Sequence, residues 1–149
     1  MATIQTRQIA QTPQQTTSQF TRVMRIVYMV IVWGFIAGLL VQFFFAGLSI
    51  FVGPTWWDTH TAFGRGFGVT TVLLVLFALL GRLPRRQIVM ASVLVPLYVL
   101  QILLIELPSR LGVIAVSALH PVNAAIMLGL AIVLAYRVWK IRRGDTSSY

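Results

Sequence analysis

The chain has 149 residues, of which 58% are hydrophobic and only 10% are charged, and its mean hydropathy is +0.85. These values exclude a soluble globular domain and indicate an integral membrane protein. The net charge is +9, but the basic residues stand in short clusters between apolar runs, so nucleic acid is not a predicted partner. Because the chain has no cysteine, disulfides, thiolate-ligated iron–sulfur clusters and covalent c-type haem are excluded.

The N-terminal segment, residues 1–20, is rich in Gln and Thr and contains no apolar run. Such a segment cannot bury enough apolar surface to offset the entropy of ordering, so we expect a disordered cytoplasmic tail. A signal peptide would need a basic start followed directly by an apolar core, and this segment has a different composition. The first apolar run is therefore expected to be retained.

Four apolar runs follow, each long enough to cross roughly 30 Å of hydrocarbon at about 1.5 Å per residue. They predict spans at about 27–52, 60–80, 88–107 and 115–138 within a transmembrane domain of residues 21–143. Gly and Pro residues mark the turns between them, Pro108 is expected to close the third span, and Pro96 predicts a kink within it. The short connections predict an all-α, up-down-up-down four-helix transmembrane bundle.

Basic residues are distributed unequally between the two ends of this bundle. Of the 12 Lys and Arg residues, only Arg65 and Arg110 lie on the side opposite to the termini and the middle loop. Cytoplasmic segments carry the excess of Lys and Arg. Both termini, including the tail of residues 144–149, are therefore expected in the cytoplasm of a multi-pass protein of the bacterial inner membrane.

Two histidines stand at the starts of the second and fourth predicted spans. They are His60, in Trp57-Asp58-Thr59-His60, and His120, in Leu119-His120-Pro121-Val122-Asn123. The topology places both at the outer end of the bundle, and polar groups within a membrane normally face the bundle interior or a cavity. We therefore predict one outer cavity, lined by His60, His120, Gln42, Gln101 and Asn123.

Small residues share helical faces with the two histidines. Gly64 and Gly68 lie on the face of His60, and Ala124 and Ala131 lie on the face of His120. A flat macrocycle would be able to approach both helices closely.

The type of ligand follows from the imidazole pair. Imidazole is a good axial ligand for haem iron, and helix bundles hold cofactors between facing helices. We therefore predict a six-coordinate haem b with His60 and His120 as iron ligands. Arg65 and Arg110 are the basic residues on that side and are predicted to lie toward the propionates.

Zinc is the alternative metal, but it would need a third and a fourth ligand. The acidic candidates, Asp58 and Glu106, are expected in outer loops. No paired carboxylates and no glycine-rich phosphate loop in a suitable context are found, so neither hydrolysis nor phosphoryl transfer is predicted.

Several of the predicted site residues also have a structural interpretation. His120, next to a proline near a helix start, can serve as a cap. Gln42 and Gln101 can join helices by hydrogen bonds, and Gly34 and Gly38 fit close helix packing.

Three segments carry a resemblance to a known family. They are Gln42-Phe43-Phe44-Phe45-Ala46-Gly47-Leu48, Trp57-x-x-His60-x-x-x-Gly64 and Leu119-His120-Pro121-Val122-Asn123-Ala124. In these the chain resembles an uncharacterised family of small bacterial four-span membrane proteins, which implies the fold and no activity. More distantly, a histidine that starts one span and a His-x-x-x-Ala that starts another resemble four-helix halves of haem A synthase and other b-type cytochrome bundles, where such histidines ligate haem. A full haem A synthase resembles two such bundles joined, so its activity is not carried over.

Two functions therefore remain open. The first is a b-type cytochrome-like protein with one bis-histidine haem near the outer face, which exchanges electrons with a quinol or with a membrane or periplasmic redox partner. The second is a non-catalytic accessory subunit of a larger membrane complex. In either case the lipid bilayer surrounds the chain, and a homo-oligomer is a further expected partner.

Overall fold

The computed structural model describes residues 18–143, which form helices joined by short turns, with no strand among them. The helices are α1 (Gln19–Phe51), α2 (Trp56–Phe67), α3 (Val69–Leu80), α4 (Arg85–Leu111) and α5 (Leu119–Arg143), with a short 3-10 helix at Ile114–Ala118. The predicted all-α class is confirmed. The predicted tails lie outside the described residues, except that Ser18 caps α1 and α1 already includes residues 19 and 20.

Four helical stretches are long and apolar enough to cross a membrane. They are Gln19–Phe51, Trp56–Leu80, Arg85–Leu111 and Ile114–Arg143. Each extends beyond the predicted apolar run at one end or both, because helical hydrogen bonding continues through polar residues that a hydropathy pattern excludes. The predicted number of helices with the length and apolarity to cross a membrane is thus confirmed.

The second span is interrupted, whereas the sequence predicted a continuous helix. Thr70 and Thr71 donate side-chain hydrogen bonds to the carbonyls of Phe67 and Gly68, at 2.6 and 2.8 Å, where α2 ends and α3 begins. From α4, the Tyr98 hydroxyl lies 3.0 Å from the carbonyl oxygen of Gly64 and 3.1 Å from that of Arg65. Side chains that engage helical carbonyls in this way interrupt the regular backbone ladder.

The third span ends later than predicted. Helix α4 continues through Pro96 and Pro108 and ends at Leu111. Gly112 then adopts a left-handed conformation with φ of 72°, and its N–H donates to the carbonyl of Pro108. The helix therefore ends at a glycine C-cap, because a left-handed residue is what closes the last turn and glycine adopts that conformation without strain.

The core lies between α1, α3, α4 and α5, where α1 and α4 each pack against both α3 and α5. Tyr28 and Phe35 of α1, Leu74 of α3, Leu94 of α4 and Leu134 of α5 are fully buried there. Many other large apolar side chains point outward, as expected where the surrounding solvent is lipid.

At one end of the bundle lies the loop of residues 81–84, which joins α3 to α4. Contacts at this end determine the relative direction of the helices. Gln87, near the start of α4, donates to the Tyr28 hydroxyl of α1 at 3.1 Å and to the Leu134 carbonyl of α5 at 2.9 Å. Arg25 of α1 donates to the Gly81 carbonyl, just after α3, at 2.8 Å. Consecutive spans therefore run in opposite directions in the bundle, while their orientation across the membrane stays a prediction from the basic residues.

Candidate functional site

A cavity of about 440 Å³ lies at the opposite end of the bundle. This volume falls within the range of about 300–1,000 Å³ that is usual for small-molecule sites. All four spans contribute to its lining, through Gln42 of α1, His60 of α2, Gln101 of α4 and His120 of α5. The structure thus brings five of the predicted site residues, these four and Arg65, together around one space.

The two imidazole rings are close neighbours in this cavity. The ring centroids of His60 and His120 are 6.2 Å apart, and the ring planes are inclined by 59°. Both side chains are half-buried. Trp57, one helical turn before His60, packs against it edge to face with centroids 5.5 Å apart. Trp57 and His60 are three residues apart in the sequence, and this spacing was the signal from which the contact could have been predicted.

Each histidine is anchored in the same way by the helix that precedes it. His60 Nδ1 lies 3.1 Å from the Gln42 carbonyl oxygen, and His120 Nδ1 lies 2.9 Å from the Gln101 carbonyl oxygen. Because a carbonyl oxygen can only accept a hydrogen bond, Nδ1 carries the proton in both rings. In the neutral form of each ring the lone pair is then on Nε2, and a neutral imidazole of this kind is the form that binds a metal.

This shared anchor reveals a repeat of one glutamine and one histidine in the two halves of the chain, which was not predicted. In each half of the chain a glutamine in one helix precedes a histidine in the next, with a separation of 18 residues for Gln42 and His60 and 19 for Gln101 and His120. The nearly equal separations were a detectable signal. They are weak evidence alone, because the surrounding residues of the two halves differ.

Asn123 lies behind the cavity and links Gln101 to the backbone. Its side chain is 4% exposed and donates to the Leu97 carbonyl at 2.9 Å and to Gln101 Oε1 at 2.6 Å. The Gln101 amide nitrogen in turn lies 3.1 Å from His120 Nε2. Asn123 does not line the cavity and instead positions a residue that does.

Gln42 differs from its counterpart Gln101. Its side-chain oxygen is buried and has no hydrogen-bond partner among the residues that the structure describes. Its amide nitrogen lies against Gly64, so closely that an added Cβ at that glycine would clash with it. A buried acceptor without a partner beside a cavity is a group available to a ligand.

The two arginines of the outer side are joined by an acidic residue. Glu106 forms ion pairs with Arg65 at 3.5 Å and with Arg110 at 3.8 Å. Arg65 and Glu106 line the cavity, whereas Arg110 does not. The expectation that Glu106 and Asp58 lie in loops is wrong, because α4 and α2 extend past the apolar runs and include them.

The small residues of the predicted faces divide into two groups. Gly64 and Ala124 line the cavity. Gly38 and Gly68 are instead covered by aromatic rings, those of Phe67 and Tyr98 respectively, and an added Cβ would clash with either ring. At these two positions the small residue allows close helix packing and leaves no room for a ligand.

Within residues 18–143 no group of three or more His, Asp or Glu side chains is placed to hold a metal ion. The donor set of the cavity is therefore a pair of imidazoles. Such a pair can supply two opposite ligands to a metal that is already held by a macrocycle.

The fold and the site define a four-span α-helical membrane protein with a histidine pair in a cavity at one end. Residues 42–110 match the model of a family of unknown function (DUF6220). The matched segment includes Gln42, His60 and Gln101 and ends before His120. No curated protein and no solved structure matches the chain significantly. The resemblance to an uncharacterised family is thus confirmed over these residues.

Proposed function

We propose that this chain is a membrane haem-b protein in which His60 and His120 are the axial ligands of one iron. The observation that carries the proposal is the pair of imidazole rings in a common cavity, with centroids 6.2 Å apart. Metal–imidazole bonds are about 2 Å long, so two imidazoles on opposite sides of one metal ion have centroids roughly 6 Å apart. The inclination of 59° between the planes does not conflict with this, because two imidazoles on opposite sides of one metal ion can have any angle between their ring planes.

The carbonyl anchors support the same assignment. Histidines that bind metals usually donate their other N–H to a carbonyl or carboxylate, which fixes the tautomer and makes the ligand nitrogen more basic. His60 and His120 both have this arrangement, supplied by main-chain oxygens of Gln42 and Gln101.

The cavity walls also suit a large, mostly apolar group with polar edges. Leu39, Ile102, Ile105 and Met127 contribute apolar lining. At the rim, Arg65 is available to a propionate because its pair with Glu106 is largely exposed, at 70% and 42% of the two side chains. Exposed pairs of this kind contribute only about 0–1 kcal/mol, so exchanging one carboxylate for another costs little. Arg110 pairs with the same carboxylate but does not line the cavity.

When bound, haem b supplies one-electron chemistry by accepting an electron in its ferric form and giving it up in its ferrous form. His60 and His120 would hold the haem, and the apolar lining residues of the cavity would surround it. We expect the electron donor or acceptor to be a quinol or a redox protein of the membrane or periplasm. Since the site lies near one end of the bundle, the exchange takes place on one face of the bacterial inner membrane.

The proposal is tested by the absorption spectrum of the full chain purified from haem-replete cells. We expect a Soret band, with α and β bands that sharpen on reduction. His60→Ala and His120→Ala should each remove the six-coordinate low-spin spectrum, because each removes one axial ligand. Ser92→Ala is the control, since Ser92 lies on α4 away from the cavity and donates only within its own helix, to the Ile88 carbonyl at 3.0 Å. A folded but colourless wild-type protein would contradict the proposal.

The second candidate function is that of an accessory subunit without a cofactor. The direct contact between the Gln101 amide and His120 Nε2 at 3.1 Å favours it, since this bond joins α4 to α5 without any ligand. In that case His120→Ala would lower the thermal stability of a colourless protein and change no spectrum.

A further inference from the structure

The two histidines are anchored alike but differ at the nitrogen that would bind iron. His120 Nε2 lies 3.1 Å from the Gln101 amide nitrogen. Since that nitrogen can only donate, it donates its hydrogen to the Nε2 lone pair. This is the same lone pair that an iron would need.

The hydrogen bonds around Asn123 determine which end of the Gln101 amide is the oxygen and which is the nitrogen. The Leu97 carbonyl can only accept, so the Asn123 atom that faces it at 2.9 Å is the NH₂ group. The same NH₂ group lies 2.6 Å from the Gln101 side chain and therefore meets its oxygen. The Gln101 NH₂ is left on the other side, directed at His120.

Gln42 does not donate a side-chain hydrogen bond to Nε2 of His60 in the way that Gln101 does to Nε2 of His120. Gln42 contacts His60 through its main-chain carbonyl, while its side-chain nitrogen lies against Gly64 and its oxygen has no hydrogen-bond partner among residues 18–143. His60 thus has the anchor of a metal ligand without competition from its glutamine.

From this asymmetry we infer that His60 is the permanent axial ligand and His120 the exchangeable one, whose place on the iron can be taken by a small uncharged molecule such as carbon monoxide. This inference rests on the proposed haem site and specifies the class of ligand that the site takes. In this exchange His60 would keep hold of the haem, Gln101 would hold His120 by donating its N–H to Nε2, and the small molecule would take the place that His120 leaves. No electron or proton is transferred.

Gln101 acts here as a positioning residue, because it stabilises His120 in the position away from the iron. Loss of one neutral hydrogen bond should shift the exchange equilibrium roughly two- to tenfold toward histidine ligation. Asn123 acts one step further back by directing the Gln101 amide, so its loss should have a smaller effect of the same sign.

The test measures carbon monoxide binding to the full-length protein in detergent, reduced with dithionite. Wild type should form a carbon monoxide complex. Gln101→Leu should bind carbon monoxide roughly two- to tenfold more slowly and show a larger six-coordinate fraction. This variant retains the main-chain carbonyl that holds His120 Nδ1. Asn123→Ala should shift both readouts in the same direction and gives a second route if Gln101→Leu does not accumulate. Ser92→Ala should match wild type.

The histidine variants complete the test. His120→Ala should keep haem in a five-coordinate form and bind carbon monoxide faster than wild type, whereas His60→Ala should lose most of its haem. Identical carbon monoxide kinetics in wild type, Gln101→Leu and Asn123→Ala, all with haem bound, would overturn the inference and leave the proposed function standing. A colourless wild type would overturn both.

Discussion

Single polar side chains join the helices of this bundle at both ends. Gln87 of α4 is 1% exposed and reaches α1 at the Tyr28 hydroxyl and α5 at the Leu134 carbonyl. Asn123 of α5 similarly reaches α4 at Leu97 and Gln101. Hydrogen bonds between helices in a membrane contribute on average about 0.6 kcal/mol and at most about 1.7 kcal/mol. Such residues therefore specify which helix faces are in contact more than they determine total stability.

Gln87→Leu separates this packing role from the proposed site. The substitution removes both bonds to α1 and α5, and we expect the free energy of unfolding to fall by about 0.5–2 kcal/mol. Thermal unfolding followed by circular dichroism measures this. The absorption spectrum should stay unchanged, because Gln87 lies at the end of the bundle opposite to His60 and His120. A change in the spectrum would show that the two ends of the bundle are coupled.

At the break between α2 and α3, a side chain of α4 contacts the backbone of α2. Tyr98 engages the carbonyls of Gly64 and Arg65, 34 and 33 residues away in sequence, and its ring covers Gly68. The hydropathy pattern of residues 60–80 carries no information about contacts with Tyr98, because that residue lies outside the pattern. The sequence therefore predicted the length of the span but not its interruption.

Tyr98→Phe tests the cause of this interruption. Without the hydroxyl, the carbonyls of Gly64 and Arg65 are free to accept from the amides four residues later, which are those of Gly68 and Val69. We expect slower hydrogen–deuterium exchange at these two amides than in wild type, measured by mass spectrometry or NMR in detergent. Exchange at residues 74–78 of α3 is the internal reference. Unchanged protection at Gly68 and Val69 would assign the interruption to the Thr70 and Thr71 side chains alone.

Residues 18–143, the part of the chain that the structure describes, form two helical hairpins, 19–80 and 85–143, each with a glutamine in its first span and a histidine near the start of its second. Composition and the lengths of the apolar runs were enough to predict the number of spans. The placement of His60 and His120 at the same end of the bundle followed from the alternation of the spans. The anchors on main-chain carbonyls and the role of Asn123 were not predictable, because they depend on how the helices rotate against each other.

The predicted orientation can be tested directly because the chain has no cysteine. Thr55→Cys, in the connection between α1 and α2, should react in intact cells with a thiol reagent that does not cross membranes. Arg86→Cys, in the first turn of α4, should react only after permeabilisation. Both positions are exposed, so the difference reports the side of the membrane and not burial. The reverse pattern would invert the orientation inferred from the basic residues.

The use of main-chain oxygens to hold the two imidazoles has a genetic consequence. No amino-acid replacement at position 42 or 101 removes the carbonyl that accepts the hydrogen bond from the ring, so these contacts tolerate every substitution that leaves the helix intact. A single-residue insertion or deletion between Gln42 and the core of α1 would instead turn the carbonyl by about 100° around the helix axis. The lengths of the helices therefore preserve these two contacts, whereas the side chains of Gln42 and Gln101 serve only the separate contacts that they make themselves.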